Sequence, residues 1–206
     1  MLQLFLKFHP FQKPVPRSLF SIPRFGFTSR FNDEVVALVD LNDNEIGFMF
    51  RGLKYNNLVI NRLYSVFIVN STGRFYVQKR KSTKSWCPNY YDLTFGGLVR
   101  YGETYEENAY RELSEELNIE RVHLEPIFKT LFDDPPSNSK TWCQVFLTIY
   151  NVSIKAQYEE VDSVSLRSQE EVERMLKKGE KFTPDSLFVY EKLIKSKLLD
   201  KYISAF

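Results

Sequence analysis

From residue 33 onward, apolar and polar positions group into short runs whose period changes along the chain. Glu34 to Asp40 and Glu45 to Phe50 are β-prone runs around the polar turn Leu41-Asn42-Asp43-Asn44. Leu63 to Val69 and Phe75 to Lys79 flank Ser71-Thr72-Gly73, which predicts a hairpin. Asp92 to Val99 reads as a further strand carrying the Gly96-Gly97 pair. Strands are also expected at Leu124 to Phe132, Thr141 to Val152 and Val161 to Leu166. The period changes to helical at Tyr105 to Leu117, Gln169 to Lys178 and Pro184 to Ile203. Strands first, then helices between and after strands, predict a mixed α/β or α+β layered domain.

The helix expected from Tyr105 has both ends written locally. Thr104 can cap its N-terminus, and Glu107 three residues on completes a capping box. Asn118 stands where a left-handed residue ends a helix, Asn being the second choice there after Gly. Ala109, Leu113 and Leu117 recur at i, i+4, i+8 and form the core stripe. Glu112, Glu115 and Glu116, at i, i+3, i+4, place their carboxylates on one face. At 100° per residue Glu116 lies about 20° from Ala109 and Glu112 about 60°, so two of the acids sit at the lip of the buried stripe. Like charges at this spacing cost roughly 0.2–0.5 kcal/mol, and acids late in a helix oppose its dipole. A hard divalent cation would reverse that penalty, because Mg²⁺ prefers carboxylate oxygen. Spacing alone also permits a solvated acidic face, with Arg111 paired to Glu107 or Glu115.

Composition narrows the field. The 206 residues fit one domain with a short extension, and 18 Phe and 12 Tyr argue against general disorder. No apolar run approaches the roughly 20 residues that span a bilayer. Cys87 and Cys143 define neither a disulfide framework nor a metal motif. Before Asp33 the chain has no acid but carries Lys7, Lys13, Arg17, Arg24 and Arg30; setting those five aside leaves 23 basic against 26 acidic residues, a net charge of −3. The body therefore lacks the basic footprint of a nucleic-acid binder. Residues 1–32 are read as a basic extension and 33–206 as the domain.

Gly97, Glu103, Arg111, Glu112, Leu113, Glu115, Glu116 and Ile119 fall in the register of the Nudix box, and the segment Gly97 to Ile119 resembles that motif. The one departure is Asn118 in place of the final Gly. The resemblance covers most of the chain after Asp33. Gln78-Lys79-Arg80, Lys84, Pro88, Asp92 to Gly97 and Phe182 to Ser186 are similar to the branch related to isopentenyl-diphosphate isomerase. The isomerases place a catalytic cysteine just before the box, whereas Leu93, Thr94 and Phe95 occupy that neighbourhood here. This departure argues against isomerase chemistry.

What the resemblance implies is a Nudix-type α/β/α sandwich with a mixed sheet, hydrolysing a diphosphate linkage in a nucleoside or other organic diphosphate. Glu112 and Glu116 would be principal ligands of Mg²⁺, for which Mn²⁺ could substitute, and the Gly97 region would offer a backbone carbonyl. Glu115 would be a further ligand or the general base. Arg111, together with Glu103, would orient the glutamates. Glu160, with Glu159, lies where several family members recruit another carboxylate; a polar turn is the plain alternative. Arg80 and Lys84 could hold the non-reacting phosphate, although strand ends often carry such charges. Trp142 and Phe132 could stack on an organic moiety or simply pack. His9 and His123 have no partner at ligand spacing. The substrate is a small molecule, and the resemblance leaves monomer and homodimer open. An isomerase of prenyl diphosphates and a non-catalytic binding module remain as competing classes.

The head of the chain generates a separate expectation. It is basic, acid-free and rich in Phe, Ser and Pro, as organellar transit peptides are. Pro10, Pro14, Pro16 and Pro23 interrupt a long amphipathic helix, which leaves a plastid address or a loosely packed arm beside the mitochondrial reading. Deleting residues 2–30 should preserve turnover per folded molecule, and residues 1–35 should carry a fluorescent reporter out of the cytosol. A diffuse reporter would sink the targeting reading.

Overall fold

The computed structural model describes residues 35–51, 60–134, 139–154 and 161–203. The strands are β1 (Val35–Val39), β2 (Glu45–Phe50), β3 (Ile60–Val69), β4 (Phe75–Arg80), β5 (Tyr91–Asp92), β6 (Phe95–Leu98), β7 (Glu125–Asp134), β8 (Ser139–Ile149) and β9 (Val161–Arg167). The helices are α1 (Tyr105–Leu117), α2 (Gln169–Lys177), α3 (Pro184–Ser196) and α4 (Leu198–Ile203). The sheet is organised around β3. It pairs antiparallel with β1, β4 and β6, and parallel with β8 in unbroken register from Ile60↔Lys140 to Val69↔Ile149. β7 continues the sheet beyond β8, β9 and β5 flank β4, and β2 lies outside β1.

Val66, Phe67, Ile68 and Val69 form a continuous apolar run because β3 is covered on both faces. Alternate residues point to opposite faces of a strand, so two cores result. On one face Tyr64, Val66, Ile68, Phe95 and Phe146 pack under Ala109, Leu113 and Leu117 of α1. On the other, Phe67, Val69, Phe75, Cys143, Val145 and Leu147 pack under Val172 of α2, Val189, Tyr190 and Leu193 of α3, and Leu199 of α4. This is the mixed α+β sandwich that the sequence predicted.

Two predicted elements divide. The run Asp92 to Val99 becomes β5 and β6, because the Asp92 carboxylate turns back to accept hydrogen bonds from the Thr94 N–H (3.0 Å) and hydroxyl (3.2 Å). The helix Pro184 to Ile203 breaks at Lys197, whose φ of 56° is left-handed, giving α3 and α4. The hairpin between β3 and β4 forms as expected: the Asn70 side chain accepts from the Thr72 and Arg74 N–H groups, and Gly73 takes a φ of 76°.

The entry to α3 is tied to β5. The Tyr91 N–H donates to the Lys181 carbonyl (2.8 Å), and the Thr183 N–H donates to the Tyr91 carbonyl (2.9 Å). Asp92 and Asp185 are buried beside each other there, with the Arg80 guanidinium 3.9 Å from Asp92. Burial, then the Asp185 charge, pushes the Asp92 carboxyl up to about 7 from 3.8; Asp185 is raised as well, chiefly by burial. Between these two values the folded chain holds more protons than the unfolded one, so stability falls as pH rises through that window. Asp92→Asn keeps the oxygen that Thr94 uses and removes the titration. The wild-type melting temperature minus that of the variant should therefore decline from pH 4 to pH 7; a difference that stays flat or rises would show that Asp92 titrates normally.

Candidate active site

The strap between β6 and α1 is fixed from both sides. The Val99 N–H donates to the Arg62 carbonyl of β3 (2.8 Å), while the Ala37 N–H of β1 donates to the Val99 carbonyl (3.0 Å). The Tyr101 N–H reaches the Val35 carbonyl (2.9 Å). Gly96 explains one half of the glycine pair: a Cβ there would stand 2.5 Å from the Tyr64 carbonyl oxygen, so any side chain would force β6 away from β3. At Gly97 a Cβ would meet only the Tyr64 ring at ordinary contact, 3.4 Å. The steric requirement thus falls on Gly96, which the sequence reading had not singled out. The Gly97 requirement is not one of space.

The helix then begins as read. Thr104 accepts from the Glu107 N–H (3.1 Å), and the Glu107 carboxylate accepts from the Thr104 N–H (2.8 Å). Asn118 closes it at φ 53°, with the Ile119 N–H donating back to the Leu113 carbonyl (3.0 Å). The cap consumes Glu107, so the alternative pairing of Arg111 with Glu107 does not occur.

Arg111 instead gathers the acids of the box. Its Nε and Nη2 donate to Glu103 (both 3.0 Å at closest), and its Nη1 donates to Glu112 (2.5 Å) and Glu115 (3.0 Å). Nη2 also donates to the Asn108 side-chain oxygen (3.0 Å). Burial favours loss of the Arg111 proton, but the bonds from Glu103 and Glu112 outweigh it and hold the guanidinium above its usual value. Asn108 is fully buried, and the same oxygen accepts from the Arg100 N–H (2.8 Å). It therefore locks the strap to the arginine, a role missed by the sequence reading although an Asn adjoining the apolar stripe was its signal.

Tyr64 of β3 lies beneath this cluster. Its hydroxyl is raised well above the ordinary value, first by burial and then by the charges of Glu116 and Glu112. Glu112 and Glu116 are thus close enough for their charges to act on Tyr64. Glu115 is exposed, while Glu112 and Glu116 are half-buried. Among the described residues no cluster of three His, Cys, Asp or Glu side chains forms a ready metal cage. Mg²⁺ usually takes one or two carboxylates and completes its shell with water and substrate phosphate. Carboxylate oxygens such as those of Glu112 and Glu116 are donors of the hard kind that such an ion takes.

A second polar node adjoins the N-terminus of α1. The buried Asp43 carboxylate accepts from Arg62 Nε (2.7 Å), Lys129 Nζ (2.6 Å) and the Tyr105 hydroxyl (3.0 Å). Burial opposes its charge, but these donors prevail and lower its pKa. Lys129 also lies 5.6 Å over the Trp142 ring. Phe132 packs against Phe188 of α3 (5.2 Å), so Trp142 and Phe132 belong to different faces of the sheet and do not form one stacking site.

Arg80 donates to the Trp86 carbonyl (3.0 Å), lies 5.2 Å over the Trp86 ring and pairs with Asp92, which are structural partners. Lys84 sits in the turn after β4, its N–H donating to the Lys81 carbonyl (3.3 Å). His123 contacts Glu125 (3.0 Å) at the surface. Glu159, Glu160 and His9 lie outside the described residues.

Comparison with known proteins agrees with this geometry. The NUDIX domain family model matches residues 61–187. An uncharacterised Nudix hydrolase of Streptomyces coelicolor is 34% identical over 162 residues, 78% of this chain and 88% of its own. One from Pseudomonas aeruginosa is 35% identical over 128 residues, 62% of this chain and 75% of its own. The crystal structure of a Deinococcus radiodurans protein superposes with a TM-score of 0.67 at 25% identity, covering 77% of this chain and 98% of that one. A box held by one arginine, a sheet between helices and a family match over most of the domain lead to one conclusion: the chain belongs to the Nudix hydrolase family.

Proposed function

We propose that this chain hydrolyses a diphosphate linkage in a nucleoside or other organic diphosphate, using Mg²⁺ held by Glu112, Glu116 and the Gly97 carbonyl. The observation that supports the reading is Arg111, which binds Glu103, Glu112 and Glu115 of the box together. When bound, the cation supplies charge neutralisation on the phosphate and a lowered pKa for attacking water.

The protein's own groups do the rest. Arg111 and Glu103 hold the Glu112 carboxylate in place through the strap, so the ligand geometry is set before substrate arrives. In this reading Glu115, exposed and hydrogen-bonded to Arg111, takes a proton from water as general base or serves as a further ligand. The chain is similar to the branch related to isopentenyl-diphosphate isomerase, but its cysteines do not favour that chemistry. Cys143 is buried on the face opposite α1, its thiol pushed up to about 12 by burial, and Cys87 lies in the turn between β4 and β5.

Glu116→Gln keeps side-chain size and removes a ligand charge. Turnover should fall by ~10²-fold or more, equivalent to ~2.7 kcal/mol of barrier, in a protein that still folds. Phosphate or nucleotide release from a panel of dinucleotide, nucleotide-sugar, coenzyme and prenyl diphosphates, followed by phosphorus NMR, measures this. Full turnover in a variant that melts like wild type would remove Glu116 from the metal site.

Saturating Mg²⁺ should also raise the melting temperature of the wild type more than that of Glu116→Gln, because a ligand of the native state stabilises it. No shift in the wild type, together with no hydrolysis of any panel member, would favour the binding-module reading.

A further inference from the structure

Asn108 is the one polar residue among the buried positions of α1, and it is 0% exposed. It lies between Glu103 and Arg111 and is not among the residues that carry the register of the Nudix box. A helix position closed to solvent normally takes an apolar side chain, as Ala109, Leu113 and Leu117 do. The amide is moreover only half used: among the described residues its Nδ2 has no partner. A buried donor left unpaired costs stability, and an alanine or leucine there would carry no such donor. What the position gains is the oxygen. That oxygen accepts from the Arg100 N–H of the strap (2.8 Å) and from Arg111 Nη2 (3.0 Å).

A guanidinium has five N–H donors, and Arg111 spends them on four side chains. Nε and Nη2 serve Glu103, Nη1 serves Glu112 and Glu115, and Nη2 also serves Asn108. Three of these partners are carboxylates, and Asn108 is the neutral one. The bond to Glu112 is the shortest of the set, at 2.5 Å. A carboxylate given to a cation is partly withdrawn from its arginine, so an arginine held by carboxylates alone competes for them. Asn108 holds Arg111 by an oxygen that no cation claims and that the strap itself fixes. We infer that Asn108 is a positioning residue. It anchors Arg111 to the strap independently of the carboxylates, which leaves Glu112 free to be shared with a metal ion. The inference rests on the reading of Glu112 and Glu116 as Mg²⁺ ligands. Without the oxygen, Nη2 loses an acceptor, and the guanidinium turns further toward the glutamates that the ion needs. Removing a group that orients a metal ligand typically weakens metal binding by roughly 10- to 100-fold.

The test uses the full chain. Asn108→Leu keeps the volume and removes the oxygen, and the smaller Asn108→Ala serves the same comparison should leucine disturb the fold. The Mg²⁺ concentration at which the melting temperature has risen halfway should increase roughly 10-fold or more. Turnover should fall at limiting Mg²⁺ and recover at saturating Mg²⁺, because every proposed ligand is still present. A second measurement needs no metal. In the metal-free protein, hydrogen exchange of the Arg111 Nε–H, read by NMR, should be roughly 10-fold faster in the leucine variant. Asn108→Asp keeps an oxygen acceptor, and its Arg111 Nε–H should exchange no faster than that of wild type. An unchanged Mg²⁺ midpoint in the leucine and alanine variants overturns the proposal. So does unchanged exchange at Arg111, or an aspartate variant that exchanges as fast as the leucine one. A loss of turnover that saturating Mg²⁺ does not restore would make Asn108 a packing residue only, and overturns it too. A wild type that does not respond to Mg²⁺, with the exchange difference intact, would sink the metal reading of Glu112 and Glu116 while supporting the anchor.

Discussion

The guanidinium of Arg111 is the contact on which the site depends. Glu103 of the strap crowds against Glu112 and Glu115 of α1, and their repulsion would splay the box without a cation among them. Arg111 suits this better than a lysine would, since a planar fork can serve several acceptors at fixed angles. Through Asn108, which binds both Arg111 and the Arg100 N–H, the same group joins the helix to the strap. The carboxylates are thereby held against the sheet rather than left on a solvated face.

That arrangement needs a rigid floor, and β3 supplies it. Four strands pair with β3, and helices cover both of its faces. Gly96 lets β6 approach the Tyr64 carbonyl, which sets the start of the strap close against β3. The Asp43 node holds the other end of α1 by the Tyr105 hydroxyl, so the helix is fixed at its first turn as well as along its apolar stripe. At the entry to α3 stand Asp92 and Asp185, whose carboxyls are raised chiefly by burial.

Much of this was legible in the sequence because it is local. The capping box of Thr104 and Glu107, the left-handed Asn118 and the stripe of Ala109, Leu113 and Leu117 all follow from residues within a few turns of one another. Helix geometry fixes such relations wherever the helix packs. The family, and the layered α+β class, came from that segment and from the order of periodicities around it.

Tertiary structure decided the relations that span the chain. Asp43 binds Arg62 at a separation of 19 residues, Tyr105 at 62 and Lys129 at 86, and no spacing rule links them. Whether Arg80 serves a phosphate or its neighbours Trp86 and Asp92 depends on which strand lies alongside β4, which pattern does not state. The break at Lys197 has no glycine or proline to announce it; a lysine takes a left-handed φ there, and the chain that follows packs Leu199 into the same core as α3. Local periodicity determines where a helix can form and which face it buries. Where that face lands, which distant charge is buried beside it and where the chain must turn to close a core are set by packing among segments far apart in sequence.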